Sequence, residues 1–264
     1  PTRLRVPIPG PGAAGSACSR RRLQLDLRAM QWLRSLAFTT FLFLSTAVYA
    51  VAVMASFGLP YRRCYAIARH WARTQLAAAR AICGLDYVVE GRENVPTGSH
   101  ISVWKHSSAW ETIAQMVIFP PQAWVLKREI LWIPLVGWGT WLMRPIAIDR
   151  GARGKAVNQV VEQGRERLAS GMWVLIFPEG TRVPVGQQRR FGISAALLAT
   201  ETGRKLVPVA HDAGRYWARR GLLKKRGTVR VVIGPPIETA GRDPREVSDE
   251  AKRWIDAKVA ELGA

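Results

Sequence analysis

Four short runs carry the residues best suited to chemistry. Lys105-His106-Ser107-Ser108-Ala109-Trp110-Glu111 sets a histidine five residues before a carboxylate. It follows a predicted strand and opens a predicted helix, a common position for catalytic groups in α/β sheets. In such a turn Glu111 can reach one imidazole nitrogen of His106, fixing the tautomer and stabilising the imidazolium. The opposite nitrogen is then free to take a proton from an attacking hydroxyl. The second run, Phe177-Pro178-Glu179-Gly180-Thr181-Arg182, is a turn at a strand end. Gly180 supplies permissive backbone there, and Arg182 offers a forked donor pair suited to phosphate. The third, Arg144 to Arg150, leaves a strand with Asp149 and Arg150 at its end. The fourth, Leu206-Val207-Pro208-Val209-Ala210, is a strand containing a proline, which implies an edge strand or a strand end near a site. Seen singly, each run has an ordinary explanation: a surface turn, an ion pair, a strand edge.

Alternating β-rich and helical patterns surround these runs. Strands are predicted at Tyr87–Glu90, Ile101–Trp104, Ala123–Leu126, Ile146–Ile148, Trp173–Phe177, Lys205–Val209 and Thr228–Ile233. Helices are predicted at Ala109–Ile118, Arg153–Ala169, Ile193–Glu201 and Val247–Leu262, with Gly, Pro and Ser at the joins. The expected fold class is therefore α/β, a central mixed sheet flanked by helices. Hydrophobic and amphipathic membrane-anchoring helices precede it. Neither GxGxxG nor GxxxxGK[ST] occurs, so dinucleotide and P-loop chemistry lack support.

Before the sheet, Ser35 to Leu59 is a run of 25 residues without a charge. That is long enough for a bilayer core, with Trp32 and Tyr61 at interface depth. From Tyr61 to Cys83, Arg62, Arg69, Arg73 and Arg80 recur at intervals of 7, 4 and 7 and form one stripe of a helix. Such a helix can rest on an anionic leaflet or fold back on its predecessor. The expected organisation is a disordered basic segment over 1–29, anchoring helices over 30–84 and a catalytic domain over 85–264. Met30 is the expected translation start, testable by intact mass of natively expressed protein. With that start only Arg34 precedes the apolar run, and the positive-inside rule puts the C-terminal part in the cytoplasm.

Composition narrows the partners. Among 264 residues, 39 are Lys or Arg and 19 Asp or Glu, a net charge of +20 that calls for polyanionic company. Cys18, Cys64 and Cys83 are odd in number and far apart, which argues against a disulfide framework or a zinc site. The 11 tryptophans fit either a Trp-rich core or a membrane interface. Arg215 to Arg226 interleaves cations with Trp217, Tyr216 and Leu222, as a headgroup-level patch does.

Taken together, the four runs resemble the glycerolipid acyltransferases of the 1-acylglycerol-3-phosphate acyltransferase type. That family carries His-x4-Asp, an Ile-Asp-Arg-like run, Phe-Pro-Glu-Gly-Thr-Arg and a Val-Pro-Val-like strand in this order. They stand here as His106 to Glu111, Ile148-Asp149-Arg150, Phe177 to Arg182 and Val207-Pro208-Val209. The resemblance covers about residues 85–235 and implies acyl transfer from acyl-CoA or acyl-carrier protein to lysophosphatidic acid. His106 is then the general base, Glu111 its orienting acid and Lys127 a candidate for the oxyanion. Arg150 and Arg182 hold the acceptor phosphate, and Glu179, Gly180 and Thr181 shape its pocket. Direct transfer in a ternary complex is implied, with Ser107 and Ser108 structural and no metal or bound cofactor needed. An anionic membrane surface is an expected partner, with the catalytic domain on the cytoplasmic face, and nucleic acid is not. Glu111 departs from the family's usual Asp by one methylene. Two other readings stay open: another lysolipid acceptor such as a lyso-ornithine lipid, or a non-catalytic basic protein binding membrane or nucleic acid.

Overall fold

The computed structural model describes residues 12–149, 151 and 155–264, with side chains from Leu27 onward. Helix α1 runs from Gly12 to Ala55 and α2 from Tyr61 to Ala78, continuing through one π-helical turn at Ala79–Cys83 to Gly84. Gly84 takes the left-handed conformation (φ 67°) that closes a helix and turns the chain into the sheet. The backbone of α1 is helical from Gly12, through residues expected to be disordered; the same expectation for 1–11 lies outside the described residues.

The chain then alternates through β1 (Leu85–Glu90), β2 (Ile101–Trp104), α3 (Trp110–Ile118), β3 (Gln122–Lys127), α4 (Val136–Leu142), β4 (Ile146–Ile148) and α5 (Lys155–Ala169). It continues through β5 (Trp173–Ile176), α6 (Ser194–Thr202), β6 (Leu206–His211), α7 (Ala213–Tyr216), β7 (Gly227–Ile233) and α8 (Pro244–Glu261). The strands form one mixed sheet in the order β1-β7-β6-β2-β5-β3-β4. β6, β2, β5, β3 and β4 are parallel, while β7 and β1 run the other way, β7 pairing antiparallel with β6. Every residue of β2, β5 and β6 is buried, as strands covered by helices on both faces require.

One face of the sheet packs on α1, α2 and α3 around Phe38, Tyr65, Trp104, Trp110 and Trp173. The other packs on α5, α6 and α8 around Val160, Leu198, Val247 and Ile255. The tryptophans divide between core and surface. Trp104, Trp110, Trp173 and Trp217 are buried, whereas Trp32, Trp132, Trp138 and Trp141 are exposed. The basic stripe of α2 also divides: Arg69 turns inward and donates to the carbonyls of Met116 (2.9 Å) and Phe119, capping the C-terminal end of α3.

The proline of β6 needs a correction. Pro208 lies in an interior strand, between β2 and β7, and not at an edge. It is tolerated because the β7 ladder breaks beside it: Val209 pairs with Ile233, then Gly234-Pro235-Pro236 leaves register before the isolated Leu206–Ile237 bridge. A missing N–H costs no ladder bond at such a break.

Candidate active site

Parallel strands β6, β2 and β5 are neighbours, so the segments leaving their carboxyl ends converge on one edge. His106 leaves β2, Phe177 and Glu179 leave β5, and His211 ends β6. Glu111 sits in the first turn of α3, fully buried. Its Oε1 accepts three hydrogen bonds: from His106 Nδ1 (2.9 Å), Ser107 N (3.0 Å) and Ser108 N (2.8 Å).

Burial pushes the Glu111 carboxyl upward. The hydrogen bond from His106, the fields of the His211 and His106 rings and the Ser108 N–H outweigh it, leaving the carboxyl below its ordinary value. A carboxylate is acceptor-only, so Nδ1 of His106 carries a proton, and in the neutral ring Nε2 holds the lone pair. Nε2 has no protein partner among the described residues, and the side chain is 13% exposed. The Phe177 ring stacks on the imidazole at 4.0 Å and 19°, fixing its plane. The arrangement leaves one imidazole nitrogen free and the other held by a carboxylate, the geometry that general-base chemistry requires.

The turn is held from below by an ion pair inside the protein. Lys105 Nζ lies 2.6 Å from Glu179 Oε1, and the His106 N–H donates to Glu179 Oε2 at 2.8 Å. Both side chains are almost wholly buried, at 5% and 1% exposure. Glu179 thus spends both oxygens on the His106 turn and offers none to a pocket. The Val183 N–H donates to His106 O at 2.7 Å, tying the second run to the first. Gly180 (φ 67°) makes the turn between them and has open space where a Cβ would stand.

The remaining expected site residues are dispersed. Thr181 and Arg182 are half-buried beside the His106 turn, and Arg182 Nε is buried with no partner. Lys127 reaches the same sheet edge on β3, but its ammonium pairs with Glu129 at 3.1 Å and the side chain is half exposed. Arg150 lies outside the described residues. Ser108 Oγ accepts the Trp110 N–H, and Ser107 Oγ lies against Gly214. Among the described residues no cluster of three His, Cys, Asp or Glu side chains is placed to hold a metal.

Sequence reasoning passed over two contributors. Lys105 stands in the first run with no signal of its own beyond its place beside His106. His211 is fully buried; its Nε2–H donates to Lys105 O at 2.8 Å and its Nδ1 accepts the Ala213 N–H at 3.3 Å. Its place at the end of the Val-Pro-Val strand was the available signal.

The profile of the Acyltransferase family matches residues 86–212, a span running from β1 to the end of β6 and containing the whole constellation. A 1-acyl-sn-glycerol-3-phosphate acyltransferase of Pseudomonas aeruginosa is 39% identical over 243 residues, 89% of this chain and 94% of that protein. The chain belongs to the 1-acyl-sn-glycerol-3-phosphate acyltransferase family. An Escherichia coli enzyme of the same name is 31% identical over 172 residues, 62% of this chain and 69% of its own. The fold is shared with the crystal structure of the 1-acyl-sn-glycerophosphate acyltransferase of Thermotoga maritima. The TM-score is 0.74 at 22% identity, covering 90% of this chain and 98% of that one. The chain is therefore an acyltransferase, and the non-catalytic reading falls.

Proposed function

We propose that the enzyme acylates the sn-2 hydroxyl of 1-acyl-sn-glycerol 3-phosphate, with acyl-CoA or acyl-carrier protein as donor, giving phosphatidic acid. The observation that carries the reading is the His106–Glu111 pair, whose Nε2 has no partner among the described residues. His106 Nε2 takes the proton of the acceptor hydroxyl as its oxygen attacks the thioester carbonyl. The C–S bond breaks as the tetrahedral intermediate collapses, and the imidazolium returns its proton to the leaving thiolate. Glu111 stabilises that imidazolium. Arg182, with Arg150 beyond the described residues, binds the phosphate, and Thr181 and Gly180 line the approach. Lys127, once it releases Glu129, is assigned the oxyanion. Glu179 positions the His106 turn through Lys105 and the His106 N–H. Relatives bearing this enzyme's name support the acceptor; the basic surface suits either donor, since both are acidic.

We also propose attachment to an anionic membrane from the cytoplasmic face. Residues Leu27–Ala55 of α1 are long and apolar enough to cross a bilayer, and Leu33, Phe43, Leu44 and Val48 are exposed on it. The exposed Trp138 and Trp141 belong to α4, whose Gly139 packs on Ala50 of α1, extending the apolar surface. The deciding experiment is acyl transfer from labelled acyl-CoA, and separately from acyl-carrier protein, to lysophosphatidic acid. Positional analysis of the product should place the label at sn-2. Label only in another lysolipid, such as a lyso-ornithine lipid, would replace the acceptor.

A further inference from the structure

The loop between α7 and β7 has no part in the chemistry above, yet it runs from the catalytic turn to α1 and back. Just before it, in α7, Gly214 presses on the His106 turn: a Cβ there would stand 3.0 Å from Ser107 Oγ and 2.9 Å from Val185 Cγ2. Farther on, Arg219 Nη2 donates to Thr181 Oγ1 at 3.3 Å. The loop closes on itself through the Trp217–Lys224 bridge. It is pinned to α1 where the Lys224 N–H donates to Ser35 Oγ at 2.9 Å and the Lys224 carbonyl accepts from Gln31. The Lys224 ammonium is held by Thr39 and lies 4.7 Å from the Trp217 ring centre. Arg219 therefore stands on a loop fixed at both ends.

The charge around Thr181 is unbalanced. Arg219 donates to it and Arg182 follows it in the chain, and among the described residues neither guanidinium has a carboxylate within 4.0 Å, a state shared by other arginines of this basic chain. Arg182 Nε is, besides, buried without a partner. A buried donor left unmade is costly unless a ligand completes it. Two guanidinium forks, one bonded to Thr181 and one on the next residue of the chain, suit a phosphate monoester, whose three oxygens and two negative charges they can share. Glu179, the acid nearest in sequence, cannot supply the missing charge because Lys105 and the His106 N–H occupy it.

We infer that Arg219 is a phosphate ligand of the acceptor site, gripping the phosphate monoester opposite Arg182 and selecting phosphorylated over neutral glycerolipids. The inference rests on the proposed acceptor chemistry. Its test uses the full chain in detergent micelles, with lysophosphatidic acid and 1-monoacylglycerol as probes. In the wild-type background, R219Q should raise KM for lysophosphatidic acid about 10- to 100-fold, the worth of a charged hydrogen-bond pair, and leave kcat nearly unchanged. R219K should recover part of the loss. In the catalytically silent H106A background, binding of lysophosphatidic acid should weaken by the same factor on adding R219Q, with monoacylglycerol binding unaffected. Unchanged binding, or an equal loss for both probes, overturns the inference. A wild type that binds lysophosphatidic acid but never acylates it sinks the proposed function, while the binding comparison still decides Arg219.

Discussion

Replacing Glu111 by Gln removes a charge at nearly constant shape. The amide oxygen can occupy the place of Oε1 and keep the N–H groups of Ser107 and Ser108. The amide nitrogen takes the place of Oε2, where its buried N–H groups find no acceptor and cost about 1–3 kcal/mol of stability, which the folding control must register. What disappears is the attraction between carboxylate and imidazolium. With Oε1 2.9 Å from Nδ1, the charge centres lie about 4 Å apart, and an effective dielectric of ~20 gives roughly 4 kcal/mol. That interaction exists only once His106 has taken the proton, so it falls on the transition state, and kcat should drop about 1000-fold. KM for lysophosphatidic acid should stay within about threefold, because Glu111 touches no bound acceptor. E111D should lose only about tenfold, since the shorter acid keeps its charge but gives up an amide bond. The assay is steady-state acyl transfer at saturating donor, beside circular dichroism of each variant. A folded E111Q within tenfold of wild-type kcat would refute the charge-stabilisation argument.

The same carboxyl sets an acid limit. Its folded value lies below the ordinary 4.5, so the stability it contributes is complete above that value and disappears as pH falls through the folded one. Urea unfolding across this window should show a shallower pH slope for E111Q than for wild type; parallel slopes would remove Glu111 from the account. Breaking the buried Lys105–Glu179 pair from one side, as in E179L, should cost about 3–5 kcal/mol by urea denaturation. The double variant K105M/E179L should recover much of that stability while remaining slow, and failure to recover would mean that the pair's charge is not what the single variant exposes. W138S/W141S should weaken sedimentation with anionic vesicles and leave turnover of micellar substrate intact, whereas unchanged sedimentation would take α4 out of the membrane surface.

Much of the fold was legible because its signals are local. All seven strands are short runs rich in β-branched or aromatic residues, most with Gly or Pro beside an end, and each was located to within two residues at either end. Helix α4 was missed. Its Val136-Gly137-Trp138-Gly139 reads as a turn, but the glycines serve close approach: a Cβ at Gly137 would meet the Ile130 carbonyl at 2.5 Å, and Gly139 rests on the backbone of Ala50. The interior place of Pro208 was illegible because it depends on a ladder break set by Pro235 and Pro236, residues far along the chain. In the site, the meeting of His106 and Glu111 followed from spacing within one turn. The engagement of Glu179 by Lys105, and the grip of His211 on Lys105 O, join separate strands and needed the sheet order.

The account stands on His106 as the base, and one comparison tests this most directly: acylation of lysophosphatidic acid by wild type and by H106A of equal thermal stability. Wild-type protein should give phosphatidic acid and H106A none above the uncatalysed rate, with Nε2 lost as proton acceptor. A folded H106A that keeps a tenth or more of wild-type kcat would contradict the mechanism outright.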